Sequence, residues 1–165
     1  MSGAVRLWRI AQETRAYKAT DLSGAGSAHD PGRWNAAGEA VVYTAVHLSL
    51  AVLETAAYVN PAGLPLNRFV IAIDVPAADW ASREELDAVT LDPAWLAIPA
   101  GRASVDLGSA WYQSLRSLLL VVPSAIVPEE RNVIINARHP RAAGVSATVV
   151  RPFSYVTLFR ADDRL

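Results

Sequence analysis

The chain has 165 residues, 52% of them hydrophobic and 19% charged, with 15 basic against 16 acidic side chains and a net charge of −1. So apolar a composition excludes disorder, and a near-neutral chain without a basic block cannot neutralise the run of phosphates that general nucleic-acid binding requires. Cysteine is absent, which excludes disulfides, thiol nucleophiles and thiolate metal sites and fits a reducing, cytoplasmic setting. A chain this long is expected to form one domain over residues 1–165.

Val5 to Ile10 alternates and predicts a strand. Residues 11–39 read as a long loop rich in Gly, Ser, Ala and Asp, with Asp30-Pro31-Gly32 as a turn signal. Loops beyond about 12–15 residues are usually functional or disordered, and Tyr17, Lys18, Arg33 and Trp34 argue against disorder. Ala40 to Ala45 predicts a short strand. Leu48, Ala51, Val52, Thr55 and Val59 then recur at three-to-four spacing, which predicts a helix stopped by Asn60-Pro61. Asn67 to Val75 is rich in β-branched residues and predicts a strand. Pro76 to Ser104 reads as short helices and loops around Trp80 and Trp95. Val105 to Arg116 predicts a helix with Trp111 and Leu115 on one face. Leu118 to Val127 predicts a buried strand interrupted at Pro123-Ser124. Asn132 to Asn136 predicts another strand, as does Thr148 to Arg160, with Pro152 marking an edge or bulge. About six strands and two or three helices without strict alternation point to an α+β domain. Arg6 and Arg9 break the first apolar stretch, and the run from Leu118 to Pro123 falls far short of the ~20 residues that span a bilayer. Neither an export nor a membrane segment is expected.

His29, His47 and His139 form no His-x-x-x-His or similar pair, so no metal site is predicted. Gly24-Ala25-Gly26 lacks the third glycine and the preceding strand of a dinucleotide fingerprint, and no Walker sequence occurs. There is no Gly-x-Ser-x-Gly elbow; a Ser/His/Asp set can be drawn on paper from Ser124, His139 and Asp74. What stands out is a set of polar residues in apolar or glycine-rich frames. Glu54 lies in the Ala/Leu helix 48–57, where a buried carboxylate is costly; it must face solvent or a cleft. Arg33, in Gly32-Arg33-Trp34-Asn35, suits either phosphate gripping or a loop salt bridge. Tyr43 ends the strand that leads into the Glu54 helix and is either a core or a cleft aromatic. Ser124 and Asn132 flank a loop after a buried strand, where turn capping is the plainer role.

Their order and frames carry a resemblance. The stretches are Leu7-Trp8-Arg9-Ile10, Gly32-Arg33-Trp34-Asn35-Ala36-Ala37-Gly38, Val42-Tyr43-Thr44-Ala45, Leu50-Ala51-Val52-Leu53-Glu54, and Val122-Pro123-Ser124-Ala125-Ile126-Val127-Pro128. The last runs into Asn132-Val133-Ile134-Ile135-Asn136 and His139-Pro140. Together they resemble the RES-domain family, toxins of bacterial toxin–antitoxin pairs whose partner is an Xre-type helix-turn-helix antitoxin.

The resemblance implies an ADP-ribosyltransferase-like fold, a split, mostly antiparallel sheet around a cleft, acting on NAD+ as substrate without a metal. It implies cleavage at the nicotinamide–ribose bond by hydrolysis or phosphorolysis, or transfer of ADP-ribose to a protein. The transition state is oxocarbenium-like, as in glycosidases. Glu54, Arg33 and Ser124 are the catalytic candidates: Glu54 to stabilise the ribosyl cation, Arg33 to hold the pyrophosphate, Ser124 to bond ribose or the nicotinamide amide. Tyr43, Arg9, Asn35 and His47 are candidates for NAD+ binding, with Tyr43 stacking on nicotinamide and Arg9 a second phosphate ligand. The antitoxin is expected to block the cleft and to carry any DNA contact, in a toxin–antitoxin assembly. The competing reading is a non-enzymatic binding module in which Glu54 and Arg33 form an ordinary cleft ion pair.

Overall fold

The computed structural model describes residues 3–159. Seven strands form one sheet: β1 (Ala4–Gln12), β2 (Val41–Ala45), β3 (Arg68–Pro76), β4 (Glu84–Glu85), β5 (Leu119–Pro123), β6 (Arg131–Asn136) and β7 (Ser146–Phe153), in the order β4-β5-β6-β2-β1-β3-β7. Every pairing is antiparallel except β4 with β5. The expected α+β fold with a mostly antiparallel sheet is therefore found. The split is visible in the register. β1 and β3 pair along their whole length, from Ala4 opposite Pro76 to Gln12 opposite Arg68, and β2 pairs throughout with β6. β1 and β2 meet at one register pair, Trp8 opposite Ala45.

Alternation sends Val41, Tyr43 and Ala45 to one face of the sheet and Val42 and Thr44 to the other. On the first face, Leu120, Val122 and Ile134 pack with Trp34, Trp95, Trp111 and Tyr112 beneath α4 (Arg102–Ser114). Beside them α2 (Leu48–Ala56) lays Leu50 and Ala51 on Ile10, Ala45 and Val70, and so spans both sides of the split. On the second face, Leu7, Val42, Ile71, Ile73, Val121 and Ile135 are covered by Leu22, Trp80, Ala142 and Val145. β5 is buried at every position because both faces are covered.

Most predicted elements appear with shifted ends. β1 takes Ala11 and Gln12 from the expected loop, which also holds a short α1 (Ala25–His29). The predicted helix 105–116 begins three residues earlier and stops at Ser114, because Leu115 turns left-handed at φ 54°. The predicted strand 118–127 ends at Pro123. There Ser124 Oγ accepts the N–H groups of Ile126 and Val127 and bends the chain away. The expected C-terminal strand ends at Phe153, followed by α5 (Val156–Phe159); Arg160 lies outside the described residues. The segment 76–104 folds as α3 (Ala77–Ala81), the two-residue β4 and a 3-10 turn over Pro93–Leu96.

One glycine fixes how the 31–39 loop meets α4. A Cβ on Gly108 would stand 1.6 Å from the Trp34 carbonyl oxygen, whereas a Cβ on Gly26 in α1 would meet nothing within 4 Å. Gly108→Ala is expected to cost about 3 kcal/mol or more of stability, at the upper end for overpacking, with Gly26→Ala near neutral. Chemical denaturation of the two variants checks this.

Candidate functional site

Glu54 lies at the end of the second turn of α2 and is half-buried. Its Oε1 accepts hydrogen bonds from Ser124 Oγ and from Asn132 Nδ2, both at 2.6 Å. The two donors come from the end of β5 and from β6, strands on the far side of the split from β1. Ser124 is fully buried and does two jobs at once: it caps the turn after Pro123 and it holds the carboxylate. Oε2 of Glu54 has no partner among the described residues and remains able to meet a developing positive charge.

Arg33 lies in a second group. Its Nη1 donates to the carbonyls of Trp95 (2.6 Å) and Ala97 (2.9 Å), so it clamps the end of the Pro93–Leu96 turn. Neither acceptor is a carboxylate, and among the described residues Arg33 forms no ion pair. The ion pair with Glu54 that a purely structural cleft would contain does not form. A recess of about 580 Å³ opens here, lined by Gly32, Arg33, Asn35, Tyr58, Ile98 and Val105, among others. A guanidinium with its positive charge uncompensated in a recess suits an anion.

Asn35 and Tyr43 hold this loop. Asn35 is buried, with Oδ1 accepting from Gly32 N–H (2.8 Å) and Tyr43 Oη–H (2.6 Å), and Nδ2 bonded to the carbonyls of Ser27 and Glu39. The Tyr43 hydroxyl in turn accepts the Trp34 N–H (3.0 Å). A Cβ on Gly32 would fall 2.8 Å from the Tyr43 ring, so glycine is required for the loop to lie on that tyrosine. Burial pushes the Tyr43 phenol well above its ordinary pKa, against a smaller opposing effect of the Trp34 N–H; it stays a neutral donor.

The remaining candidates stand apart. Arg9 alternates with Leu7 and Ala11 on the face opposite α2, one residue past the Trp8–Ala45 joint, with Nη1 3.5 Å from the Asp21 carbonyl. Burial lowers its pKa, and Asp21 partly offsets this. It shares no hydrogen bond with Glu54 or Arg33 among the described residues. His47 precedes α2 and pairs at the surface with Glu130 (2.8 Å). The paper triad does not assemble: Ser124 bonds Glu54, His139 Nδ1 accepts the Arg141 N–H, and Asp74 pairs with Arg6. Among the described residues no three His, Asp or Glu side chains converge as metal ligands, and no helix is long and apolar enough to cross a membrane. Asn132 is the residue that sequence reasoning undervalued. Its signal was its place just beyond the Ser124 loop, where turn capping explained it equally well.

Comparison with known proteins shows the family. The RES domain model matches residues 6–157. A relative from Sphingobium sp., described as "Prs ADP-ribosylating toxin", is 51% identical over 148 residues, covering 90% of this chain and 92% of the relative. "Toxin Res" of Pseudomonas putida is 37% identical over 145 residues, covering 87% and 92%. Among solved structures, a chain of the M. tuberculosis MbcT–MbcA toxin–antitoxin complex matches with a TM-score of 0.63 over 97% of this chain and 89% of that one. At 17% identity that likeness speaks for the fold alone. With the family model and two close relatives each spanning most of its length, this chain belongs to the RES-domain family of toxins.

Proposed function

We propose that the chain cleaves NAD+ at the nicotinamide–ribose bond, with Glu54 as the group that stabilises the ribosyl cation. The carrying observation is the Glu54 carboxylate, held through one oxygen by Ser124 and Asn132 and free at the other. Membership of the RES-domain toxins supports an NAD-utilising enzyme. In the reaction the C–N bond breaks and its electron pair goes to the pyridinium nitrogen, so nicotinamide leaves neutral and positive charge grows on the ribose. A carboxylate fixed in advance stabilises that charge without reorganising as it appears. Arg33 holds the pyrophosphate with the donors that its two carbonyl partners leave unused. Arg9 is the second candidate cation, and Tyr43, Asn35 and His47 support the loop and the helix start around the substrate. The acceptor that then bonds the ribose carbon is water or phosphate in this reading.

A second reading has a specific observation behind it. The 51% identical relative is named an ADP-ribosylating toxin, which favours a protein side chain as acceptor. Both readings share the first step. Radiolabelled NAD+ separates them: label appears in protein in one case and in free ADP-ribose or its phosphate in the other. The partner in either case is an antitoxin, of the Xre helix-turn-helix type, which would occupy the cleft in the cytoplasm and restrain a protein poisonous to its own cell.

Glu54→Gln keeps an acceptor oxygen for Ser124 and Asn132 but removes the charge. Turnover is expected to fall roughly 10²–10³-fold with little change in KM, since the cationic charge exists only in the transition state. Wild-type turnover in a folded variant would overturn the assignment of Glu54. Arg33→Ala should instead raise KM as well as lower the rate, because the phosphate charge is present throughout and because the clamp on Trp95 and Ala97 is lost.

Asn132→Ala is a cleaner probe of the carboxylate's setting than Ser124→Ala, which would also free two turn N–H groups. Losing one hydrogen bond to the charged oxygen should lower turnover roughly tenfold and leave KM nearly unchanged. Nicotinamide release at several NAD+ concentrations measures all three variants.

A further inference from the structure

Glu54 stands two residues from the end of α2, where the helical ladder is giving out. The Ala57 N–H still reaches back to the Leu53 carbonyl (3.2 Å), but Tyr58 and Val59 bond the carbonyls of Thr55 and Ala56 at three-residue spacing, each at 3.1 Å. A last turn that tightens in this way is where helices fray. On the side of β5 and β6, Ser124 and Asn132 both bond Oε1 of Glu54. Bonds to a single oxygen fix a point; they do not fix the roll of the helix that carries it.

A second tether sits on the next residue. Thr55 Oγ1 accepts a hydrogen bond from the Tyr155 hydroxyl (2.8 Å). The one proton of Thr55 goes to the carbonyls of Val52 (3.0 Å) and Ala51 (3.3 Å), so Tyr155 is the donor of the pair. Tyr155 is fully buried, edge-on to Phe153 with ring centroids 4.9 Å apart, and against Phe159. Phe153 ends β7 and packs with Leu50, Ala51 and Val70. β7 pairs with β3, and β3 with β1. This tether therefore comes from the half of the sheet across the split from β5 and β6.

Adjacent helix residues project about 100° apart. At neighbouring residues α2 is thus held to one half of the sheet by Glu54 and to the other by Thr55, in diverging directions. Two such contacts set the roll of the last turn, and with it the direction of the free Oε2 of Glu54. We infer that Tyr155, acting through Thr55, is a positioning residue for the Glu54 carboxylate. This rests on the NAD+-cleavage reading. The hydroxyl acts on the rate by aiming a charge at the ribose carbon, so its loss is felt where positive charge appears and not in binding of the dinucleotide. A buried tyrosine that merely satisfied its hydroxyl would show no dependence on the charge of Glu54.

The test removes the bond from either end. Tyr155→Phe and Thr55→Val should each lower kcat for nicotinamide release about fivefold with KM within about twofold, the size of one neutral hydrogen bond. Thr55→Ser keeps the oxygen and should stay within about twofold of wild type. The double variant Tyr155→Phe/Thr55→Val should lose no more than the worse single, since one bond is removed. In Glu54→Gln, which has no charge to aim, adding Tyr155→Phe should change the residual rate by less than about twofold. Circular dichroism checks that each variant is folded at the assay temperature, and either end of the bond carries the test if the other variant does not fold. Wild-type kcat in folded Tyr155→Phe or Thr55→Val would overturn the proposal. So would an equal fivefold loss in the Glu54→Gln background, or a rise in KM in place of the fall in kcat, either of which makes Tyr155 a packing residue. An arm that needs no turnover follows the Asn132 side-chain amide by heteronuclear NMR. Its resonance, set by the bond to a charged oxygen, should shift in Glu54→Gln and move part of the way in Tyr155→Phe; an unmoved resonance in Tyr155→Phe would overturn the tether. If wild type releases no nicotinamide, the cleavage reading falls, and this arm still decides whether Tyr155 sets the carboxylate.

Discussion

Between β1 and β2 the sheet is joined by a single register pair, Trp8 opposite Ala45. A sheet that opens there loses ladder hydrogen bonds that must be replaced, and it loses the continuous surface on which a helix could lie flat. α2 bridges the gap. It starts three residues after Ala45, packs Leu50 and Ala51 across Ile10, Ala45 and Val70, and is tied to the β5–β6 side through Glu54. The Glu54 carboxylate is therefore the polar contact by which the bridging helix is anchored to the other half of the sheet. A half-buried carboxylate on an apolar helix is stabilised by hydrogen bonds, and the two donors at 2.6 Å supply them.

The same economy recurs around Arg33. Its guanidinium clamps two backbone carbonyls some sixty residues away and still has donors to spare for an anion. Asn35, Tyr43 and Gly32 hold the loop that carries it, and Gly108 lets α4 close on Trp34. Loops carry function most readily when a rigid scaffold positions them. Here the scaffold is made of the loop's own side-chain bonds to the sheet and to α4, which explains why a long segment with only one short helix is ordered.

The elements were legible because their signals are local. β3 has β-branched residues in a row, α2 has apolar residues at three-to-four spacing, and the Pro123-Ser124 break marks a chain reversal. β4 was not legible, since two glutamates carry no strand signal and pair with β5 only because the chain returns there. The C-terminal end of α4 was missed because a left-handed leucine at position 115 breaks no sequence rule. Arg33, Glu54 and Ser124 stood out as polar residues in frames that do not ordinarily hold them, while Asn132 sits in a frame where a turn cap is commonplace.

By itself the sequence determined the order and kind of the elements, the absence of thiol chemistry, and the residue types around which a site could be built, because periodicity, turn chemistry and composition act over a few neighbouring residues. The tertiary structure alone decided which of those residues meet. Ser124 and Asn132 reach Glu54 across 70 and 78 residues, Arg33 reaches Trp95 and Ala97 across 62 and 64, and His139 and Asp74 go to partners of their own. Such contacts follow from the strand order β4-β5-β6-β2-β1-β3-β7. That order is settled by how two apolar faces are best covered at once, a property of the whole packed chain that no local run of residues encodes.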